Sequence, residues 1–253
     1  MITLKGLIIR ERNIGESNRM IIVLTEKLGI INVFIRGGAK SKKTLSSTQL
    51  FSYSKMCLEM KVDAKGLNNY YLNSSEALNL FYNIRLDPIK TSLAYYFAEL
   101  LCFSRIEDAY CSEVYKLTMN TFYFLDKGNH DNELLKSIFE FRLLCEMGFR
   151  PYLVGCNTCY ICEPEIMHYN YKSGKLECDN CCYNPDSIFD ISLDRDMLYI
   201  VRYIALTDYS KLFHFRINKK YQEKLTEFTE RFVKYNFKDN FATLDFYKTI
   251  SKE

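Results

Sequence analysis

Two pairs of closely spaced cysteines constrain the fold of this chain more than any other feature. Cys156 and Cys159 form one Cys-x-x-Cys pair, and Cys178 and Cys181 form a second pair after an interval of eighteen residues. Each pair can make a tight knuckle that points both thiolates at one centre, and two knuckles complete a tetrahedral site of the zinc-ribbon type. The sequence therefore predicts one structural zinc ion bound by these four cysteines.

Two alternatives for this cluster stay open. Zinc is favoured because four thiolates suit an ion without a geometric preference, but an iron–sulfur cluster can use the same ligands. Cys162 and Cys182 lie beside the predicted ligands, and either could replace one of them. Four thiolates leave no open position for a substrate, so we expect a structural metal rather than a catalytic one.

The distribution of cysteines also bears on the compartment. Six of the ten cysteines lie between Cys156 and Cys182, and such a cluster favours metal binding in a reducing compartment over disulfides. The N-terminal segment lacks the basic, apolar and small-residue regions of a signal peptide. No apolar run approaches the roughly 18 residues that span a bilayer. We therefore expect a cytoplasmic protein without a membrane segment.

The first 75 residues predict a small β-barrel. Short segments rich in Ile and Val alternate with turns that contain Gly, Asn and Ser, a pattern typical of strands. Five such strands favour a closed barrel of the OB type, and an SH3-like barrel fits the pattern nearly as well. The predicted strands are Leu4–Arg10, Arg19–Thr25, Ile30–Arg36, Leu50–Val62 and Tyr70–Leu72.

From Ser75 onward the spacing of apolar residues changes to that of helices. Ser74 or Ser75 is expected to cap a short helix that runs towards Arg85, and Pro88 is expected to start the next one. Further helices are predicted over Glu107–Leu125, Asn132–Met147, Asp194–Leu206 and Asn218–Asn236. The predicted fold is α+β and multidomain. An OB-type barrel over residues 1–80 precedes a mainly helical domain over 81–253, which a zinc ribbon interrupts at about 151–185.

The search for catalytic motifs gives no candidate. The sequence contains no phosphate-binding loop, no dinucleotide-binding glycine fingerprint and no Gly-x-Ser-x-Gly elbow. Its three histidines lie far apart and outside any recognisable motif. We therefore predict no catalytic residues and a protein that is not an enzyme.

Charge is distributed unevenly along the chain. Residues 1–80 contain 12 Lys and Arg against 6 Asp and Glu, whereas the rest contains 22 against 25. Such a basic end suggests a module that binds a polyanion, although a flexible solvated loop explains the most basic stretch equally well. The predicted phosphate contacts are Arg36, Lys40, Lys42 and Lys43, with Arg10 and Arg19 as supports, and Phe34, Phe51 and Tyr53 are available for stacking on bases.

Several motifs, in order, resemble the RecO family. They are Lys5-Gly6-Leu7-Ile8-Ile9-Arg10, Gly15-Glu16-Ser17, Leu24-Thr25-Glu26-x-x-Gly29 and Arg36-Gly37-Gly38-Ala39-Lys40 in the barrel, and Gly148-Phe149-x-Pro151-x-Leu153 before the first knuckle. The chain differs from many members at Ile14, where an aromatic residue is common, and at Tyr160, where a glycine often follows the second cysteine. Its C-terminal end is also less basic than the C-terminal end of the family tends to be.

The resemblance implies a recombination mediator of a RecF-type DNA repair pathway. Such a protein binds single- and double-stranded DNA and anneals complementary strands without ATP. It works with RecR, contacts single-strand-binding protein and helps to load RecA, so it is expected with the nucleoid. Two other classes stay open: a protein–protein adaptor whose basic loop is incidental, and an RNA-binding accessory factor with a zinc ribbon.

Overall fold

A computed structural model describes residues 1–37, 42–64, 66, 68–104, 111–182 and 190–252, without the side chains of residues 42–44 and 190. Its packing divides the chain into two compact units, residues 1–129 with 241–253, and residues 130–240. None of the helices in these described ranges has the length and hydropathy needed to cross a membrane.

The first unit contains a closed barrel of five strands. These are β1 (Ile2–Ile14), β2 (Asn18–Thr25), β3 (Gly29–Ile35), β4 (Tyr53–Val62) and β5 (Asn68–Asn79), and helix α1 (Lys42–Thr48) lies between β3 and β4. The strand order is β1-β2-β3-β5-β4, closed by the antiparallel pairing of β4 with β1. Because β3 pairs with β5 in parallel rather than with β4, the barrel has the Greek-key order of the OB type. The predicted OB-type barrel is confirmed.

Alternate residues of these strands fill the barrel, as the period of two in a β-strand requires. Ile21, Val23, Val33, Met56 and Leu58 have no exposed surface, and they belong to one apolar cluster. Their burial stabilises the barrel by about 25 cal/mol for each Å² of apolar surface removed from water.

One predicted element of this unit is wrong. The short helix expected to start at Ser74 or Ser75 is instead the second half of β5, which pairs with β4 at Ser75, Glu76 and Ala77. The helical segment begins only at α2 (Tyr82–Leu86). Pairing along the whole of β4 satisfies the backbone of this segment, and it outweighs a capping preference worth about 1 kcal/mol.

Three further helices complete the first unit. They are α3 (Pro88–Phe103), α4 (Cys111–Lys127) and α9 (Ala242–Ile250). Asp87 caps α3, accepting hydrogen bonds from the backbone of Ile89 and Lys90 at 2.9 and 3.1 Å. The barrel and these helices share contacts, since Phe51 packs edge-on against Tyr95 of α3. The unit therefore extends past residue 80, and the sequence division at 80 stays a prediction.

The second unit combines helices with a small sheet. Its helices are α5 (Asn132–Leu144), α6 (Arg195–Leu206), α7 (Tyr209–Leu212) and α8 (Lys219–Phe237), and a π-type turn, Cys145–Phe149, follows α5. Strands β6 (Ile166–Asn170), β7 (Lys175–Cys178) and β8 (Asp190–Asp194) form an antiparallel sheet in the order β7-β6-β8. The predicted helical body with a ribbon of strands is confirmed.

The core of the second unit is aromatic. Phe141 of α5 meets Phe228 and Phe232 of α8 with ring centroids 5.2 and 5.1 Å apart. Tyr169 of β6 reaches Phe228 at 5.5 Å, so the sheet packs on the helices. These edge-on and tilted arrangements are the favoured geometries of aromatic pairs.

A buried charge cluster joins α5 to α8. The Lys136 ammonium group is fully buried and lies 3.4 Å from Glu140 and 2.9 Å from Glu230. Thr229 donates a hydrogen bond of 2.6 Å to Glu140. Burial alone would lower the pKa of Lys136, but these carboxylates together with Glu133 raise it above its ordinary value.

Candidate functional site

The four predicted metal ligands lie together in the second unit. The sulfur atoms of Cys156, Cys159, Cys178 and Cys181 all lie within 4.8 Å of one another, and those of Cys159 and Cys178 are 3.6 Å apart. Tetrahedral zinc with Zn–S bonds of about 2.3 Å needs sulfurs about 3.8 Å apart. The cluster therefore has the dimensions of a metal centre, and Cys162 and Cys182 are not part of it.

Backbone hydrogen bonds shape both knuckles. In the first, Cys156 N donates to Ile161 O at 2.9 Å, and Tyr160 N donates to Cys156 O at 3.0 Å. In the second, the backbone N–H groups of Cys181 and Cys182 both donate to Cys178 O at 2.9 Å. These turns are local, because each of these hydrogen bonds joins residues of the same knuckle.

The first knuckle uses an unusual residue at its tightest point. Tyr160 has φ 64°, a left-handed conformation that glycine adopts at little cost. The ring is 73% exposed, so little packing offsets the backbone strain, which is typically about 1–2 kcal/mol.

Arg202 of α6 is a residue that the sequence motifs do not reveal. Its guanidinium donates to the carbonyl oxygens of Leu153, Val154 and Cys162 at 2.7, 2.8 and 2.9 Å. These carbonyls flank the first knuckle on both sides, so Arg202 holds the two ends of the loop together. No local motif marks this residue, because the contact joins positions about fifty residues apart.

His168 supports the second knuckle. One ring nitrogen lies 2.8 Å from Asp179 between the two knuckle cysteines, and the other lies 3.1 Å from Ser192 of β8. With both nitrogens already engaged, His168 is placed as an anchor for the knuckle rather than as a fifth ligand.

The thiols of the cluster differ in acidity. Burial raises the pKa of Cys156, but hydrogen bonds from backbone groups and from Cys159 lower it to about 6. Hydrogen bonds to the sulfurs of Cys159 and Cys178 raise the pKa of Cys181 to about 12. A bound cation would favour the thiolate state in all four residues.

The basic loop of the first unit is described in part. Arg36 is exposed at the end of β3, and the backbone N–H of Gly37 donates to Asn18 at 3.2 Å. Lys40 and the side chains of Lys42 and Lys43 lie outside the described residues. Arg10 is exposed on β1.

Arg19 occupies a different environment from the other predicted cations. Its side chain is buried, forms an ion pair of 2.5 Å with Glu11, and donates to Thr48 Oγ1 and O at 3.1 and 3.2 Å. It therefore ties β2 to α1. Because the Arg19 side chain is 7% exposed, it offers little surface to a phosphate, and its role as a DNA contact stays a prediction.

Two of the three aromatic residues expected to stack on bases are also engaged elsewhere. Phe51 is 2% exposed and packs against Phe122, and the hydroxyl of Tyr53 receives a hydrogen bond of 3.1 Å from Tyr115. Phe34 lies beside Tyr71 of β5, with ring centroids 5.6 Å apart. Tyr71 was not among the predicted residues, although its alternation with the buried Tyr70 signals an outward side chain.

Comparison with known proteins covers both units. The family model described as "Recombination protein O N terminal" matches residues 1–81, and the one described as "Recombination protein O C terminal" matches residues 85–245. The protein named DNA repair protein RecO of Acetivibrio thermocellus is 27% identical over 98% of this chain and 96% of its own length. The RecO of Alkaliphilus metalliredigens is 27% identical over 99% and 100%, and that of Clostridium novyi is 30% identical over 70% and 68%. With the barrel, the helical body and the thiol cluster, these matches show that the chain belongs to the RecO family of DNA recombination and repair proteins.

Proposed function

We propose that this protein is a recombination mediator that binds single- and double-stranded DNA through its barrel and anneals complementary strands without ATP. The observation that carries the proposal is the exposed Arg36 at the end of β3, where the basic loop begins and where it lies 4.6 Å from the ring of Tyr71. A cation beside an aromatic ring on a barrel of this type suits a nucleic acid backbone with its bases.

The phosphate contacts in this proposal are Arg36, Lys40, Lys42 and Lys43, with Arg10 as a support. Arg19 has an indirect role, since it fixes Thr48 of α1 and thereby the helix that follows the loop. Each phosphate that a cation neutralises releases counterions, which makes binding strongly dependent on salt. Cations that cover the phosphates of one strand also reduce its repulsion of the complementary strand.

The metal in this proposal is one structural zinc ion bound by Cys156, Cys159, Cys178 and Cys181. Four thiolates close the coordination sphere, so the ion would contribute stability rather than catalysis. The chain's own residues keep the sulfurs in place through the knuckle hydrogen bonds and through Arg202.

The cellular role follows from family membership. The protein would work with RecR to load RecA on DNA covered by single-strand-binding protein, in the bacterial cytoplasm and with the nucleoid. These activities depend on binding and not on covalent chemistry, and we assign no catalytic residue. No residue is assigned to a protein partner.

The test is annealing of two complementary labelled oligonucleotides by the purified protein, without ATP, across a salt series. Fast annealing that fades as salt rises is the expected result. The variant Lys40→Glu/Lys42→Glu should lower affinity and flatten the log–log salt dependence by about 0.7–0.9 for each phosphate that is no longer neutralised. The matched control, Lys219→Glu/Lys220→Glu on α8, changes the net charge by the same amount at exposed positions.

Three results would count against the proposal. Absence of annealing at low salt by folded, zinc-loaded protein would favour the adaptor class. Tighter binding of RNA than of single-stranded DNA in direct competition would favour the RNA-binding class, because an RNA reader uses the 2′-hydroxyl group. Equal losses in both charge-reversal variants would remove the basic loop from the interface.

A further inference from the structure

One row of side chains crosses the outward face of the barrel, and one of its members, Met20, is only 5% exposed. Strand register places Arg12 of β1 opposite Met20 of β2, Met20 opposite Phe34 of β3, and Phe34 opposite Tyr71 of β5. Arg12 also contacts the sulfur of Met20 at 3.4 Å. The residues that precede Phe34 and Tyr71 on their strands, Val33 and Tyr70, belong to the core cluster. Because side chains alternate along a strand, Phe34 and Tyr71 face outward.

The two aromatic rings of this row form a small platform, which we call the Phe34–Tyr71 platform. Their centroids are 5.6 Å apart and their planes are inclined by 30°, so the two rings are close together and nearly parallel. Both side chains are half-buried. The platform is therefore fixed by its neighbours in the sheet and still partly open to solvent.

Two cations lie over the Tyr71 ring of the platform, so a base that stacks on this ring has to displace one of them. The guanidinium carbon of Arg36 lies 4.6 Å from the centroid of the Tyr71 ring, and the ammonium nitrogen of Lys61 lies 5.5 Å from it. Lys61 is also paired with Glu59 at 3.2 Å, and both of these side chains are largely exposed. With Arg12 at the far end of the row, the surface carries three cations and one carboxylate.

The position of the platform within the barrel supports a role in binding. In barrels of the OB type, oligonucleotides lie on the face of strands β2 and β3, between the β1–β2 and β4–β5 loops. Arg12 lies just before the first of these loops, and Lys61 lies just before the second. A strand that follows the row from Arg12 to Lys61 would pass over both rings.

We infer that the Phe34–Tyr71 platform stacks an unpaired nucleobase of single-stranded DNA, while Arg36 and Lys61 hold the phosphates on either side of it. This inference rests on the proposed function and adds a base-contacting site to it. Every base has a π-face, so the site accepts any base and distinguishes unpaired from paired ones. The planar guanidinium of Arg36 can stack on the other face of the base.

The platform bears on release of the annealed product, whereas base pairing itself supplies the free energy of annealing. Bases of a duplex stack on their own neighbours and pair with the other strand, so they cannot lie on the two rings. Pairing therefore removes a base from the platform and leaves only the phosphate contacts to hold the product. The protein would bind single strands more tightly than the duplex it forms, which favours release of the annealed product.

The experiment compares three DNAs of equal length: oligothymidylate, a fully abasic single strand and a duplex. The abasic strand keeps the phosphates and lacks the bases. Wild-type protein should bind oligothymidylate more tightly than the abasic strand by about fivefold to a hundredfold. Because both strands carry the same phosphates, this ratio should change little with salt even though each affinity falls.

Variants test whether the preference for oligothymidylate over the abasic strand comes from the Phe34–Tyr71 platform. Tyr71→Leu should lose the preference for oligothymidylate and keep its affinity for the abasic strand, whereas Tyr71→Phe should keep both, because stacking needs no hydroxyl. Phe34→Leu should weaken the preference and provides a second variant if Tyr71→Leu does not fold. The matched control is Tyr123→Leu on α4, which removes an exposed tyrosine lying under Lys127 at 5.6 Å and should behave as wild type.

The outcomes separate the two proposals. Equal affinity of the wild type for oligothymidylate and the abasic strand would overturn the stacking site and leave phosphate binding intact. A preference that survives in both Tyr71→Leu and Phe34→Leu would place the stacking elsewhere and refute this assignment. Failure to bind any of the three DNAs at low salt would refute the proposed function itself.

Discussion

Replacing Arg202 by Met should weaken metal binding without touching a ligand. The substitution keeps an unbranched side chain and removes the donors to the carbonyl oxygens of Leu153, Val154 and Cys162. Those carbonyls lie on both sides of the first knuckle. Without these hydrogen bonds, the loop that holds Cys156 and Cys159 samples more conformations in the metal-free protein. Metal binding then has to restrict these conformations, which lowers the metal affinity.

The size of the effect follows from the three hydrogen bonds. A bond to a charged donor contributes about 1.5–3 kcal/mol when it is shielded from water. Only the bond to Leu153 is half-buried, and the other two are exposed, so we count about 1.5 kcal/mol for the first and well under 1 kcal/mol for each of the others. The total of about 2–3 kcal/mol corresponds to a loss of zinc affinity of about 30- to 150-fold.

The assay is a competition titration of the folded protein against a chromogenic zinc chelator. Arg202→Lys should lose most of the affinity as well, because one ammonium group cannot bridge three carbonyls in the way that a guanidinium does. Arg195→Met is the matched control, since Arg195 makes only one long hydrogen bond of 3.4 Å, to Pro164 O. An Arg202→Met variant that binds zinc within twofold of the wild type would refute the reasoning.

Three further predictions concern stability and can be checked by thermal or denaturant unfolding. Tyr160→Gly should stabilise the zinc-loaded protein by about 1 kcal/mol, because it relieves the left-handed backbone at φ 64°; a lower Tm would contradict this. Lys136→Met should destabilise by about 3–5 kcal/mol because it removes the ammonium group beside the buried carboxylate of Glu140; an unchanged Tm would contradict it. Since the pKa of Lys136 is raised, the wild type should keep this contribution at neutral pH and lose it only as the pH rises through the raised value. Lys5→Glu should stabilise the barrel by about 0.2–1 kcal/mol, because Lys5 lies directly opposite Lys55; a destabilised variant would contradict this.

The thiol cluster could be predicted because its geometry is local. A Cys-x-x-Cys turn brings two sulfurs together through hydrogen bonds within a few residues, and only the approach of two knuckles depends on the fold. The spacing alone leaves Cys162 and Cys182 as alternative ligands. The distances favour the four predicted ligands, since the group within 4.8 Å contains neither alternative.

The barrel could be predicted as a set of strands but not as an order of strands. Alternating apolar residues mark each strand, whereas the parallel contact of β3 with β5 joins Phe34 to Tyr71 across more than thirty residues. The end of β5 also depends on pairing with a distant strand, which the local sequence does not reveal. Ser74 and Ser75 favour a helix cap by local preference, and only the partner strand β4 decides that they belong to the sheet.

Charge alone overestimates the nucleic-acid surface, and strand phase corrects it. Arg19 and Arg36 lie in the same basic segment, and counting cations treats them as equal. Arg19 lies two residues before the core residue Ile21 on β2, so its side chain points to the same inner face and is buried. Arg36 lies two residues after the outward Phe34, so its side chain points to the outer face of the barrel. The same rule makes Tyr71 outward because Tyr70 is inward. On a regular strand of such a barrel, a cation or ring is therefore available to DNA where it is out of phase with the core residues of that strand.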